Sequence, residues 1–448
     1  MALTLQQLLF ERDQIGRPVV VGLVGAGQMG TDLVVQLGLM SGIKLGAIAV
    51  RTRVEQAMEV AVTVGYDRSS IVVASSSSSI DRAIEHKQLA VTDDLSALTG
   101  AGRVDVIIDA TGHPETGAKV ACSAIEGGKH IVMLNVEADV TVGRHLHRLA
   151  NRAGVIYTGA AGDEPAAAAE LVAFARSLGM RVVAAGKGKN NSFNHDAVPR
   201  DYEIEARSRD MNPRVLVEFV DGTKTMVEMT ALANATGLVP DQPGMHGPNA
   251  TKDELADVFR LVKDGGVLSK KGVVDFTVGK GVAPGVFCVV EPTHPRVLER
   301  LTDLHVGKGP LFTLHRPYHL TSLETPLTAA RAVLLHQSDL VPLESPVAEA
   351  CAIAKRDLEP GTLLGRIGEA DYRGWAMTWE AARAVQALPI GLVENSRAAS
   401  RIRKGELLSY ANCFVDESLT ITRLRRELDA RDEARLRESV GVVRHLPN

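Results

Sequence analysis

The sequence predicts an α/β protein in three parts, and three observations carry that expectation. An apolar run, "VVVGLV" at Val19–Val24, meets three glycines and then an amphipathic stretch. Strand-like and helix-like segments alternate through residues 1–160. The last part, residues 346–448, holds short strands broken by Pro-Gly and Lys-Gly turns. Between them, residues 161–345 read as an α+β domain, free to return strands or helices to the first part.

Composition sets the limits. A chain of 448 residues exceeds one ordinary core and suits two to three domains. Apolar residues at 45% and charged residues at 23% are ordinary for a soluble globular protein. A net charge of −4 gives no reason to expect nucleic acid or an anionic membrane as partner. No apolar run reaches the roughly 18 residues a spanning helix needs. The start, "MALTLQQLLFERDQIGRP", carries acids early and reads as an amphipathic helix, not a signal peptide. Cys122, Cys288, Cys351 and Cys413 lack CxxC spacing, so neither a disulfide framework nor a zinc site is expected, and a cytoplasmic setting fits.

In the first part, a buried parallel strand runs into Gly25, Gly27 and Gly30, a GxGxxG turn that opens a helix at Gln28 and Met29. Gly25 makes the tight turn, Gly27 admits a pyrophosphate, and Gly30 lets helix and strand pack. The helix start then offers free N–H groups to phosphate. A dinucleotide is the expected ligand. The second strand ends "GAIAVRTRVEQA", with Arg51 and Arg53 where an NAD site places an acid. Arginines there suit a 2′-phosphate, so NADPH is expected over NADH. Two later strand ends face the same crevice: Thr111 and Gly112 in "DATGHP", and Asn135 and Glu137 in "LNVEAD". Glu137 is either a substrate or metal residue or an acid favoured by a helix N-terminus.

The middle part carries the chemistry. Asp163 and Glu164 precede Pro165 at a helix start, where capping is the plain reading and metal binding the alternative. The next strand ends "GKGKNNSFNHDAVPR". Lys187 and Lys189 stand two residues apart, on one face of an extended chain. Asn190, Ser192, Asn194, His195 and Arg200 follow in a polar loop that suits a phosphorylated substrate. Further on, "KTMVEMTALANATGL" places Lys224, Glu228 and Asn234 on a helix, where Lys224 and Glu228 are spaced for a surface ion pair.

The order of GxGxxG, "LNVEAD", "GDEPAAAAEL" and "AAGKGKN" resembles the homoserine-dehydrogenase-like oxidoreductases. It resembles most the branch with a C-terminal SAF domain, which includes the Brucella-type deoxyxylulose-phosphate-reductoisomerase-like enzymes. The resemblance implies conversion of 1-deoxy-D-xylulose 5-phosphate to 2-C-methyl-D-erythritol 4-phosphate with NADPH and Mg²⁺ or Mn²⁺. This is a step of isoprenoid biosynthesis (the MEP pathway), inhibited by fosmidomycin in that family. It also implies a homodimer, and a lysine, Lys187 or Lys189, as acid/base. Of these two, Lys187 is expected to move the proton and Lys189 to hold the anion.

A skeletal rearrangement followed by hydride delivery needs oxygen ligands for a hard cation, and Glu137, Asp163, Glu164 and Glu228 are available. The metal set is expected to be Glu137, Asp163 and Glu164. Lys187, Lys189, Asn190 and Glu228 form the expected catalytic set. Ser192, Asn194, His195, Arg200 and Asn234 form the expected substrate set. Two other functions stay open: a related oxidoreductase acting on another sugar-derived or hydroxy acid, and a non-catalytic NADP-binding scaffold.

In the last part, "RDLEPGTLL", "LPIGL" and "IRKGELLSYANC" resemble the strands of a SAF β-clip. "SLTITRLRRELDARDEARLRES" reads as an exposed, ion-pair-laced helix or arm. The serine run "ASSSSSI" at Ala74–Ile80 reads as a mobile surface loop.

Overall fold

The computed structural model describes residues 3–190 and 193–443. Seven parallel strands form the first sheet: β1 (Val19–Val24), β2 (Ile43–Ala49), β3 (Ile71–Val73), β4 (Leu89–Thr92), β5 (Val106–Asp109), β6 (His130–Met133) and β7 (Tyr157–Gly159). Their order is β3-β4-β2-β1-β5-β6-β7, so the direction of winding reverses between β1 and β5. That reversal opens a crevice at the carboxyl ends of the strands, where ligands of such sheets bind. Seven helices accompany them: α1 (Leu5–Gln14), α2 (Gln28–Leu39), α3 (Val54–Thr63), α4 (Ser77–Glu85), α5 (Leu95–Thr99), α6 (Pro114–Glu126) and α7 (Val136–Ala153). Apolar clusters fill both faces of the sheet, which is why β1 is buried along its whole length.

The second part carries a mixed five-stranded sheet in the order β12-β11-β8-β10-β9. Its strands are β8 (Arg181–Gly188), β9 (Val239–Pro240), β10 (Val273–Thr277), β11 (Val286–Glu291) and β12 (Phe312–Arg316). Helices α8 (Glu164–Ser177) and α11 (Thr223–Thr236) share an apolar cluster with one face. Between them lie α9 (Glu203–Ser208) and α10 (Pro213–Val220). The short α12 (Leu255–Val258) covers the other face, where Phe259 stacks on Phe287. After α13 (Pro295–Asp303), helix α14 (Thr321–Leu335) returns to the first part, and its Ala329 and Ala330 join that core.

The last part is less separate than its turn-rich sequence suggests. The hairpin of β13 (Ala348–Ala354) and β14 (Tyr372–Thr378) is followed by α15 (Trp379–Ala384), a small ladder of β15 (Arg397–Ala398) with β16 (Cys413–Phe414), and α16 (Thr420–Val443). Ala350, Ala352, Leu388, Ile421 and Leu424 belong to the same apolar cluster as Val20, Ile107 and Val142 of the first part.

Three local expectations are corrected. The serine run is no loop: Ser76 caps α4 through a capping box with Ser79, and Ile80 is buried. Serine competes with the backbone inside helices but satisfies free N–H groups at their start. "LPIGL" forms a 3₁₀ turn at Ile390–Leu392, and "RDLEPGTLL" makes only isolated bridges at Leu358 and Leu363. The charged tail takes the helix alternative, but it is not exposed all round: Ile421, Leu424 and Leu428 form a buried stripe.

Candidate active site

The dinucleotide crevice is built by the glycine turn. Gly25 adopts φ 103°, a region open to glycine. A Cβ on Gly30 would lie 2.3 Å from the Gly25 carbonyl oxygen, so only glycine lets α2 start this close to β1. A Cβ on Gly27 would meet open space, and Gln28 and Met29 are exposed at the helix start. A cleft of about 700 Å³ follows, lined by Gly25, Gly27, Arg51, Thr111, His113 and others. Arg51 reaches it. Arg53 is absent from its wall; its guanidinium bonds Gln56 at 3.3 Å.

The next strand ends are tied down by hydrogen bonds. Thr111 donates its N–H and hydroxyl to Asp109 at 3.0 and 2.7 Å, and Gly112 turns with φ 60°. Asn135 is fully buried. Its oxygen caps α7 at Ala138, and its amide donates to Thr111 and to the His113 carbonyl. Asn135 thus shapes the crevice wall. Asp109 is also fully buried, with one carboxylate oxygen unpaired, and burial pushes its carboxyl up to about 6. Nothing in the local sequence marks Asp109, since a strand-end acid is common.

A second centre lies at the end of β8. The Lys187 ammonium bonds Glu164 at 2.7 Å and also Glu228. Asp163 completes the group: one carboxylate oxygen from each of Asp163, Glu164 and Glu228 lies within 4.8 Å of the others. All are buried. Asp163 stands at the N-cap of α8 but makes no side-chain cap bond, so its carboxylate belongs to the cluster. Lys224 does not pair across its own helix turn; it bonds Glu137 at 3.1 Å. That pairing corrects the expected surface ion pair and takes Glu137 out of the close carboxylate group. His319, missed in the sequence, adds its Nε2 3.4 Å from Glu164.

The electrostatics separate these groups. Burial pushes Asp163 well up, reinforced by Glu164. Burial also raises Glu228, with Glu164 adding, to about 7. Glu164 feels the same burial, but the Lys187 ammonium outweighs it and holds the carboxyl down at about 2. Lys187 is desolvated yet held firmly charged by Glu164 and Glu228. Lys189 differs: burial and the Lys187 charge bring it down to about 8. Its ammonium donates to the Phe219 carbonyl at 2.6 Å and lies 4.7 Å from the Phe193 ring centroid. Like charges two residues apart are therefore tolerated because the protein supplies the anions itself.

The polar loop contributes less than its composition suggests. Asn190 is exposed, and Ser192 lies outside the described residues. Asn194 bonds Tyr202, His195 bonds the Asp221 carbonyl, and the Arg200 side chain is 84% exposed beside Asp201. Asn234 is corrected outright. Its amide holds β13 through Val347 and Ala348, so it is a buried clamp and not a substrate contact.

Fold and site define a class: an oxidoreductase with an NAD(P)-binding domain. The comparisons agree segment by segment. Residues 25–158 match the NAD-binding domain of homoserine dehydrogenase. Residues 162–325 match the catalytic domain of oxidoreductase DRL. No curated protein matches the chain. Similar solved structures include one described as a probable dehydrogenase from Thermotoga maritima, at 15% identity over 72% of this chain and 91% of that chain, TM-score 0.42. Another is biliverdin reductase with biliverdin and NADP⁺ from Synechocystis, at 20% identity over 39% and 49%, TM-score 0.26. A third is an oxidoreductase from Agrobacterium radiobacter with NAD⁺, L-tartaric acid and magnesium, at 12% identity over 39% and 45%, TM-score 0.28.

Proposed function

We propose that the protein is an NADPH-dependent reductoisomerase that converts 1-deoxy-D-xylulose 5-phosphate to 2-C-methyl-D-erythritol 4-phosphate. The match of residues 162–325 to the DRL catalytic domain supports this reading. The observation that carries it is the buried acid-rich cluster around Lys187. Glu137, Asp163, Glu164 and Glu228 are four acids facing two fixed cations, Lys187 and Lys224. Two protons or one divalent cation balance that excess. A hard cation takes oxygen ligands, so Mg²⁺ or Mn²⁺ fits Asp163, Glu164 and Glu228. Bound there, it would polarise a ketone and a neighbouring hydroxyl.

The chain's own groups divide the remaining work. Lys187 is locked between carboxylates and holds the cluster together. Lys189, near 8, can release and regain a proton at working pH. This reverses the roles expected for the two lysines. The rearrangement breaks one C–C bond and forms another, giving an aldehyde. NADPH held in the crevice would supply the hydride for the carbonyl carbon, and Lys189 would give the proton to its oxygen. The proposal includes a homodimer and a SAF-like last part.

The test is direct. Purified protein with NADPH, Mg²⁺ and 1-deoxy-D-xylulose 5-phosphate should oxidise NADPH and yield the erythritol phosphate, with fosmidomycin blocking both. NADP⁺ reduction with sugar-derived or hydroxy acids, without turnover of 1-deoxy-D-xylulose 5-phosphate, would move the protein to a related oxidoreductase. Cofactor binding without turnover across a substrate panel would make it a scaffold.

A further inference from the structure

The last part of the chain lies beyond both matched segments, yet it reaches the dinucleotide cleft. Arg366 and Glu394 stand in the same wall as Gly25, Gly27 and Arg51. Their placement is built from several sides. His113 accepts the Thr116 N–H at its Nδ1, so its Nε2 carries the hydrogen and bonds Glu394. Glu394 in turn lies 3.7 Å from the Arg366 guanidinium. The Arg366 backbone is fixed by Glu369, which accepts its N–H at 3.1 Å.

Charge in the cleft is unevenly committed. Lys119 is paired with Glu115 at 2.9 Å, and Glu115 also accepts the first N–H groups of α16. Glu394 is shared between His113 and Arg366. Arg51 has no hydrogen bond or ion pair among the described residues. Arg366 keeps a side chain 46% exposed and a single long ion pair. Two arginines from opposite ends of the sequence thus face one cleft with donors to spare. A guanidinium fork matches phosphate oxygens in geometry and charge.

We infer that Arg366 is a dinucleotide-binding residue, contributed by the last part of the chain to a phosphate of the cofactor, with Glu394 and His113 positioning it. The inference rests on the dinucleotide reading of the cleft. It gives the last part a binding role that the first part alone does not fill.

NADPH and NADH dissociation constants should be measured by cofactor fluorescence on the full-length protein and on Arg366→Met and Arg366→Lys. Losing a charge-assisted hydrogen bond predicts about a tenfold or greater weakening for Arg366→Met. Arg366→Lys should recover much of it. Thermal unfolding of the cofactor-free variants should match the unsubstituted protein, which separates binding from folding. Loss confined to NADPH places Arg366 on the 2′-phosphate; equal loss for both cofactors places it on the pyrophosphate. Unchanged constants for both cofactors in Arg366→Met would overturn the inference. A wild-type protein that binds neither cofactor would instead overturn the reading of the cleft itself.

Discussion

Two of the buried charge clusters among the described residues are built differently. Along α16, Arg425 pairs with Glu349 through two bonds of 3.1 and 2.6 Å and with Asp429 at 2.7 Å, while Arg144 pairs with Asp432. Fork meets carboxylate, so the donors of Arg425 are well matched. At the end of β8, one ammonium serves two carboxylates, a third stands beside them, and acids outnumber cations. Burial of charge is common to both. The imbalance differs in degree, three acids to two arginines along α16 against three acids to one ammonium at β8, and the larger excess is what leaves room for protons, a cation or a substrate.

The largest expected effect breaks each cluster in turn. Lys187→Met and Arg425→Met should each lose about 3–5 kcal/mol, because each leaves buried carboxylates without their cation. Only Lys187→Met should also abolish turnover in the protein that still folds. Its stability loss should shrink as pH falls and Glu164, now without its cation, takes up a proton. Thermal unfolding at two pH values, with activity measured below the transition, checks both statements.

Lys189→Met comes next. Turnover should fall on the order of a hundredfold or more, with loss of the pH–rate limb near 8. Stability should move the other way. The folded lysine titrates near 8 and the unfolded one near 10.5, so the unfolded chain binds the extra proton between them. The wild type is penalised below that window and relieved above it. Lys189→Met should therefore be the more stable protein at pH 7, with the advantage fading towards pH 10.5.

A smaller effect concerns cofactor choice. Arg51→Met should weaken NADPH about tenfold more than NADH, as loss of a phosphate contact does. Arg53→Met should leave the ratio alone, because that side chain is turned to Gln56. Equal ratios in both variants would remove Arg51 from the 2′-phosphate. The smallest is Ser76→Ala, expected to lower stability by about 1 kcal/mol through its lost helix cap, with turnover unchanged.

What could be seen in the sequence follows from how far apart the interacting residues lie. The glycine turn and its flanking strand and helix are decided within one short continuous stretch, and the structure has them at Val19–Leu39. The strand that carries Lys187 near its end, Arg181–Gly188, is equally plain. Partnership is not. Glu164 meets Lys187 across 23 positions, Lys187 meets Glu228 across 41, and Lys224 meets Glu137 across 87. Residue types suggested a site there, but spacing favoured the local pair of Lys224 with Glu228. Asn234 misled for the same reason, since its partners Val347 and Ala348 lie in another part of the chain. The serine run misled by composition, because five serines look like a loop until one is placed at a helix start.

The direct test of an acid-excess catalytic centre is Glu228→Gln. The substitution keeps shape and an oxygen for Lys187 while removing one of the surplus acids. Burial holds Glu228 up at about 7, so ionising it weakens the fold as pH rises from its ordinary 4.5 through 7. At pH 8 the variant should unfold at or above the wild-type temperature, yet its NADPH oxidation with 1-deoxy-D-xylulose 5-phosphate should fall at least about a hundredfold. A folded Glu228→Gln protein that turns over at the wild-type rate would contradict the assignment of this cluster as the centre of catalysis.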